Sequence, residues 1–487
     1  LARAAPGVIV GSAAVVVGLA LAVLGALALS PVAPMGRVRK VDVDPGVALD
    51  VTAVIGGAAA LGAVLFVLLV VLAERSVRRP GAESRAEPSR IANAAAGIGA
   101  PATVGIRMAL EPGRGAGAVP VRINLAALVT AVVVVVTAIS FSASLDRLIA
   151  RPELFGAPWD GAIVADGGYG AVPLDRIGPA LDEDPRVTGW GAAGFARLQV
   201  GQTSVPSIGF VVGSGGVAPP VLRGRLPGAD DEVLLAQSTY DDVGVGVGER
   251  VAVRGQRGTR QMTVVGVGVL PAIGPVFAEH TGPGTGALVT GAALARIDGG
   301  PQSRPGMVVV RLRGGGESEQ DLQRVADALP QGEDTGAYDV FTDQRPADIT
   351  NAGAMGAAPA TLAAVLGLAA VVALTLTVAV STRRRRRDLA VMKVLGFTRR
   401  QLATAVAWQA TASMGVGVVV GTALGIVAGR WLWRAFAEQL NVVPDPSTPL
   451  LLLGAIAGGL IAAANLVAAP VGRIAARVPA ASVLRSE

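Results

Sequence analysis

Residues 124–145 read NLAALVTAVVVVVTAISFSASL, without a single charged side chain. A helix of about 20 apolar residues crosses the hydrocarbon core of a bilayer, and buried helices of soluble proteins rarely run so far without a polar face. Runs of the same character occupy residues 8–30 and 359–380. The sequence therefore predicts an α-helical membrane protein.

The composition supports this class and narrows the chemistry. Of the 487 residues, 52% are apolar and 16% are charged, whereas soluble proteins carry about 25% charged residues. Cysteine is absent and His280 is the only histidine, which excludes disulfide scaffolds, thiolate metal sites and most histidine-based catalysis. The abundance of arginine, alanine and glycine is typical of a GC-rich bacterial genome.

We predict about six transmembrane helices, at residues 8–30, 51–73, 124–145, 359–380, 404–429 and 450–470. Arginines are concentrated in residues 74–122, in residues 381–403 and in the tail after 470. Because cytoplasmic loops are enriched in Lys and Arg, these stretches and both termini are expected to be cytoplasmic. The three cations of loop 31–50 oppose this orientation.

Two details of the spans have specific interpretations. The first span could instead be a signal peptide, since Ala26-Leu27-Ala28 resembles a cleavage site. Its apolar run is longer than a typical signal peptide requires, so we favour a true span. Trp431 and Trp433 stand in the predicted loop 431–449, where an interfacial aromatic belt is expected.

Residues 147–350 are predicted to form an inserted extracytoplasmic α+β domain of ordinary size. Gly/Pro-rich turns separate the strand-like runs, which are 161–165, 207–212, 232–235, 250–254, 262–270 and 307–312. Helical patterns lie near residues 174–182, 291–298 and 318–329. The predicted organisation is two connector helices (1–73), a cytoplasmic linker (74–121), a transmembrane helix (122–146), the inserted domain (147–350) and three further spans with a tail (351–487).

A basic and amphipathic segment follows the fourth span. Residues 383–402 read RRRRRDLAVMKVLGFTRRQL. At helical spacing, Leu389, Met392 and Leu395 or Gly396 fall on one face. Such a helix can dock into a groove on a soluble partner or lie on the lipid surface, and the pattern alone favours neither alternative.

Residues 385–401 resemble the conserved segment of FtsX-like permeases, the MacB and LolC type of ABC transporter. Asp388 stands where the family usually has Glu. The resemblance implies that the segment is a coupling helix that contacts a separate ATP-binding subunit, expected as a dimer. The coupling residues so implied are Arg387, Asp388, Leu389, Met392, Lys393, Leu395, Gly396, Thr398, Arg399, Arg400 and Gln401.

The order of segments in residues 122–487 also resembles that family's module. Residues 105–110 resemble its amphipathic lead-in helix, residues 223–233 a stretch of its outer domain, and residues 479–485 its closing signature. Residues 1–73 look like the connector of larger members with two modules. The resemblance therefore implies a second permease module, or an N-terminal half, as a partner.

Two glycine rows are predicted to be helix-packing surfaces, because glycine lets helices approach closely in lipid. They are Gly417, Gly421, Gly425 and Gly429 in the fifth span, and Gly454 and Gly458 in the sixth. Asn465 could hydrogen-bond a neighbouring helix. The predicted spans lack a buried charge, which argues against an ion-coupled carrier.

The chain lacks a phosphate-binding loop, since neither of its two lysines, Lys40 and Lys393, follows a G-x-x-x-x-G run. We therefore expect a non-catalytic subunit without cofactor, metal or nucleic acid, with ATP and magnesium bound by the partner. The hypothesis is a permease subunit of an ABC transporter in a bacterial plasma membrane, which exports or extracts a membrane or extracytoplasmic substrate. The alternative is a membrane scaffold that regulates a cell-wall hydrolase by mechanotransmission; a membrane enzyme is disfavoured.

Overall fold

A computed structural model describes residues 99–111, residues 121–354 and residues 391–477. Within the second range it leaves out 169, 276–278, 315–318, 331–337 and 343–344, and it adds scattered positions at 12–97 and 361–372. The predicted spans 8–30, 51–73 and 359–380 lie outside the described residues apart from those positions. The arginine run 383–387 and the closing signature 479–485 lie outside them as well.

The described chain contains three long helices, which flank the inserted region, and several short ones. They are α1 Ala100–Leu110, α2 Val121–Ala150, α3 Leu174–Glu183, α4 Gln237–Val243, α5 Gly291–Ile297, α6 Glu319–Ala328, α7 Ala347–Ala354, α8 Arg399–Gln439 and α9 Leu450–Arg477. The predicted helices near 174–182, 291–298 and 318–329 correspond to α3, α5 and α6.

Three of these helices contain stretches long and apolar enough to cross a membrane: Asn124–Ala150, Arg399–Gln439 and Leu450–Pro470. They contain the predicted spans 124–145, 404–429 and 450–470. The helix that contains the fifth predicted span is longer than the span, because α8 has 41 residues and is therefore about 60 Å long, twice the thickness of the hydrocarbon core. The predicted loop at 431–449 accordingly begins only after residue 439.

The chain divides into two compact units. The first consists of Leu1–Thr130, Gly367–Val419 and Ala457–Glu487. The second consists of Ala131–Leu366 and Val420–Ile456 and contains the inserted domain. Helices α2, α8 and α9 each contribute residues to both units.

The inserted domain is built on one mixed ten-stranded sheet in the order β10-β1-β9-β2-β3-β8-β5-β7-β4, with β6 paired to β2 and β7. The strands are β1 Gly161–Ala165, β2 Val187–Val200, β3 Thr203–Val212, β4 Val221–Gly224, β5 Glu232–Ala236, β6 Arg250–Gly255, β7 Gly258–Gly268, β8 Ala287–Thr290, β9 Met307–Leu312 and β10 Tyr338–Phe341. All six predicted strands are present. Strands β2, β4, β8 and β10 were not predicted.

Each face of this sheet packs on helices. One face, through Phe195 and Phe210, packs against Leu148 near the end of α2 and Trp433 near the end of α8. We call this set of buried residues the junction cluster. It also contains Leu145, Leu154, Phe155, Ala193 and Ala437. The opposite face carries α3, α5 and α6 in two further apolar clusters.

Polar contacts reinforce the junction cluster. Arg147 near the end of α2 pairs with Asp445 at 2.8 Å. The amide of Ser447 donates to the hydroxyl of Ser144 at 2.9 Å. The inserted domain and the loop after α8 also share a backbone hydrogen bond, from the Val443 amide to the Leu154 carbonyl at 2.9 Å. The sheet thus packs on both helix ends, and directed bonds join α2, Leu154 and the loop after α8 to one another.

The aromatic belt predicted for Trp431 and Trp433 is wrong for the second residue. Trp431 is 71% exposed, but Trp433 is completely buried. Its ring meets Phe141 of α2 edge-on, with centroids 5.6 Å apart. Because α8 continues as a helix to Gln439, the side chain of Trp433 packs in the junction cluster. Burial of its apolar ring there stabilises the fold.

The stretch 223–233 forms a tied turn between β4 and β5. Gly224 has φ +81°, and a Cβ there would lie 2.2 Å from the Val265 carbonyl oxygen, so a larger residue is excluded. Arg225 pairs with the Glu232 carboxylate. Hydrogen bonds from Arg225 and then from the Gly228 amide lower the pKa of Glu232 to about 2. The turn therefore keeps its ion pair in mildly acidic conditions.

Candidate docking site at the start of helix α8

The structure describes the predicted coupling residues from Met392 onward. Arg387, Asp388 and Leu389 lie outside the described residues. Residues 391–394 form one helical turn, 395–396 a tight turn, and α8 begins at Arg399. The expectation of one amphipathic helix over 383–402 is therefore wrong at 395–398, where the chain turns.

Gly396 ends the first helical turn. It has φ +98°, a conformation that glycine adopts without steric cost. Its amide donates to the Lys393 carbonyl at 3.2 Å, and the Phe397 amide donates to the Met392 carbonyl at 3.1 Å. This is the Schellman pattern of a helix C-terminus. Met392 and Phe397, the two positions that are usually apolar in it, both pack against the cluster of Met108 and Leu402.

Thr398 and Gln401 start α8 as a capping box. The Thr398 amide donates to the Gln401 side-chain oxygen at 2.8 Å, and the Gln401 amide donates to the Thr398 hydroxyl at 3.3 Å. Two amide groups that a helix N-terminus leaves without partners are satisfied in this way. The Gly-x-Thr-x-x-Gln spacing is typical of one helix that ends and another that begins. The helical spacing of the apolar residues favoured one continuous helix instead.

Replacing Thr398 by alanine should loosen the start of α8. Loss of an N-cap hydroxyl costs about 1 kcal/mol, so amide exchange over residues 399–402, followed by mass spectrometry, should accelerate about fivefold. Thr398→Ser should preserve the cap. Thr404→Ala is the matched control, because the Thr404 hydroxyl donates only to the Arg400 carbonyl. Equal exchange in the Thr398 and Thr404 alanine variants would contradict the assignment.

The inner side of this turn rests on α1. Met392 and Phe397 pack with Val104 and Met108 of that helix and with Leu402. The predicted lead-in over residues 105–110 is thus a helix. It lies so close to α8 that a Cβ on Gly105 would be 2.3 Å from the Ala405 carbonyl oxygen.

The outer side of the turn is apolar and exposed. Val391, Val394 and Leu395 are 48%, 66% and 74% exposed. We call these three residues the exposed apolar turn. Arg399 and Arg400 follow it and are also exposed. Met392 packs inward and Leu395 is exposed, so they do not share the predicted face. Val391 and Val394 were not among the predicted coupling residues.

The first glycine row lies against α2. A Cβ on Gly417 would be 2.8 Å from the Leu128 side chain, and one on Gly429 would be 2.9 Å from the Ser140 Cβ. At Gly425 the nearest atom is the Cβ of Val136, at 2.7 Å. Gly421 is buried as well. In the described chain, this row is therefore a contact surface between α8 and α2.

The second row differs. Gly454 and Gly458 are exposed, and a Cβ on either would meet no described atom within 4 Å. A polar contact does hold α9 to α8, since the Asn465 amide nitrogen donates to the Thr411 hydroxyl at 2.8 Å. The predicted interhelical role of Asn465 agrees with this bond.

Groups that could carry chemistry are sparse in the described chain. No cluster of three or more His, Asp or Glu side chains suited to a metal occurs within it. The Nε2 of His280 bonds the Ala196 carbonyl at 2.9 Å. Burial is the main cause that lowers the pKa of His280, and the charge of Arg197 lowers it further. The neutral ring therefore serves packing, beside Phe195.

The exposed apolar turn, the capping box and the first glycine row belong to one contiguous stretch with a known counterpart. Residues 360–479 match the model of the FtsX-like permease C-terminal family. This match confirms the resemblance drawn from residues 385–401 and covers about a quarter of the chain. No curated protein matches the chain. The FtsX-like segment thus contains α8, α9 and the exposed apolar turn.

Proposed function

We propose that this chain is the permease subunit of an FtsX/MacB-type ABC transporter and that a separate ATPase docks on the exposed apolar turn. The observation that carries the proposal is the position of this turn, directly before α8 and inside the FtsX-like segment. ATP and magnesium would be bound by the partner. The chain would lie in a bacterial plasma membrane, with the turn and both termini in the cytoplasm and residues 147–350 outside.

The turn has the properties of a docking element. Its backbone is fixed on the C-terminal side by the Gly396 stop and then by the Thr398 capping box. Its inner residues, Met392 and Phe397, are anchored on α1. A pre-ordered apolar surface loses little conformational entropy when a partner binds, which favours affinity. The flanking Arg399 and Arg400 would contact the polar rim of the partner's groove.

The movement of the ATPase would be transmitted to the inserted domain through α8. This helix is uninterrupted from Arg399 to Gln439, and its last turns contribute Trp433 and Ala437 to the junction cluster. A displacement of its first turn by the ATPase would be carried along the helix to the sheet. The work done outside would then be export or extraction of a membrane or extracytoplasmic substrate.

If the ATPase docks on the exposed apolar turn, charged substitutions in this turn should weaken ATPase binding. Val394→Asp combined with Leu395→Asp should weaken co-purification of a Walker-type ATPase, and stimulation of its hydrolysis by the chain, at least tenfold, because apolar anchors dominate such interfaces. Membrane insertion should be unchanged. The matched control is Val247→Asp, at a valine of the inserted domain that is 44% exposed.

Unchanged stimulation in the double variant would contradict the docking assignment. Isolation of the chain with a cell-wall hydrolase and without any ATPase would instead favour a scaffold that regulates the hydrolase. Met392→Asp is unsuitable for this test, since it would also disrupt the contact with α1.

A further inference from the structure

The hairpin of β6 and β7 carries a row of cationic and polar side chains on one face. In its register, Arg250 lies opposite Thr263, Ala252 opposite Gln261, and Arg254 opposite Thr259. Arg250, Arg254 and Gln261 are exposed. The alternate residues Val251 and Val253 are buried on the other face, in the cluster that includes Ile297 of α5.

The register with β2 identifies which face of the sheet this row occupies. Gln199 of β2 lies opposite Arg254, and side chains alternate along a strand. Arg197, Phe195 and Ala193 therefore follow Gln199 on the same face. Phe195 and Ala193 belong to the junction cluster, whereas Arg197 is exposed. The face that meets the ends of α2 and α8 thus continues outward as a cationic surface.

The cationic surface is not neutralised by its own strands. Strands β2, β3, β6 and β7 contain Arg197, Arg250, Arg254 and Arg260 but no Asp or Glu. Across the parts of the chain that the structure describes, none of these arginines is in an ion pair. Arg254 uses its Nε to bond the Thr259 hydroxyl at 3.1 Å, which orients the rest of its guanidinium.

The direction of the helices indicates what faces this surface. The helix ends that pack on the same face belong to α2 and α8, which are candidate membrane spans. A bilayer crossed by these helices would therefore lie on this side of the sheet. We propose that Arg197, Arg250 and Arg254 bind the anionic phospholipid headgroups of that leaflet.

The chemistry of the three arginines fits this partner. A guanidinium matches a phosphate through paired hydrogen bonds. Each cation near an anionic membrane surface strengthens binding about fivefold, within the Debye length. The neighbouring Gln261, Thr259 and Thr263 supply polar contacts and no apolar side chain that would insert into lipid. The proposal is independent of the ATPase partner.

The 487-residue chain contains no cysteine, so a single introduced cysteine can be labelled selectively in it. Gln261→Cys, labelled with a fluorophore, places a probe on the arginine face. Gln320→Cys places a control probe on α6, on the opposite side of the sheet. Nanodiscs of phosphatidylcholine, with or without an equal amount of phosphatidylglycerol, would contain a lipid carrying a nitroxide on its headgroup. We expect the Gln261 probe to be quenched at least twofold more with phosphatidylglycerol, and this increase to disappear in high salt.

A double substitution identifies the arginines as the cause. Arg250→Gln with Arg254→Gln should abolish the phosphatidylglycerol-dependent quenching, whereas Arg176→Gln with Arg324→Gln, on α3 and α6, should preserve it. Equal quenching of the two probes would overturn the location. Quenching of the Gln261 probe that does not depend on phosphatidylglycerol would overturn the role of charge. Quenching that soluble polyphosphate, but not high salt, removes would assign the surface to a soluble anion.

Discussion

Substitution of Gly425 by leucine should disrupt the packing of α8 on α2. The Cβ alone would lie 2.7 Å from the Val136 Cβ and 2.9 Å from the Val133 carbonyl oxygen. The helices would have to separate, which would also break the hydrogen bond from the Thr137 hydroxyl to the Gly425 carbonyl, 3.2 Å long. Overpacking of this kind costs about 3 kcal/mol. Thermal unfolding of the detergent-solubilised protein should show a midpoint lowered by several degrees.

The control for this substitution is Gly458→Leu. Gly458 is also a helical glycine in a candidate span, but a Cβ there meets no described atom within 4 Å. Its unfolding midpoint should stay near that of the parent protein. Equal effects of the two substitutions would show that glycine content, and not close packing, explains the first row.

Replacing Trp433 by alanine is expected to cost about 3–5 kcal/mol, the range for removal of a large buried ring. Trp433 is fully buried, and its ring contacts those of Phe141 and Phe436. Its Nε1 has no hydrogen-bond partner among the described residues. Trp433→Phe should therefore cost much less, because it keeps an aromatic ring and removes a donor that is already unsatisfied.

The readout is again the unfolding midpoint, together with the protease resistance of the inserted domain, because Trp433 packs against its sheet. Trp431→Ala is the matched control, at an exposed tryptophan two residues earlier on the same helix. If Trp433→Phe were as damaging as Trp433→Ala, the indole nitrogen would have a role that packing does not explain.

The sequence was sufficient wherever a periodic signal was strong. The apolar run of α2, the alternating strand β6 and the continuous apolar run of β9 were all identifiable from sequence. Strand β2 was not, because both of its faces are buried and its glycines replace the usual branched residues. A Cβ on Gly191 would be 2.7 Å from the Phe210 ring, so this strand requires small residues where pattern analysis expects large ones.

The family resemblance located the candidate docking site, but helical spacing predicted the wrong exposed face for it. Leu395 and Met392 are three residues apart, which suggests one face. The contact that separates them comes from α1, where Met108 packs against Met392. A contact between residues so distant in the chain leaves no local periodicity. The same reason explains Trp433, whose partner Phe141 lies on another helix.

The junction cluster also determines where the inserted domain can be cut. A fragment of residues 151–346 would include the whole sheet but lack Leu145, Leu148, Trp433 and Ala437, which cover one of its faces. Phe155, Phe195 and Phe210 would then form an exposed apolar patch, and the fragment would tend to aggregate. A soluble version must retain the last turns of α2 and α8, or carry polar replacements on that face. The boundary of this domain as an independent folding entity therefore lies inside the flanking helices and not at the ends of its strands.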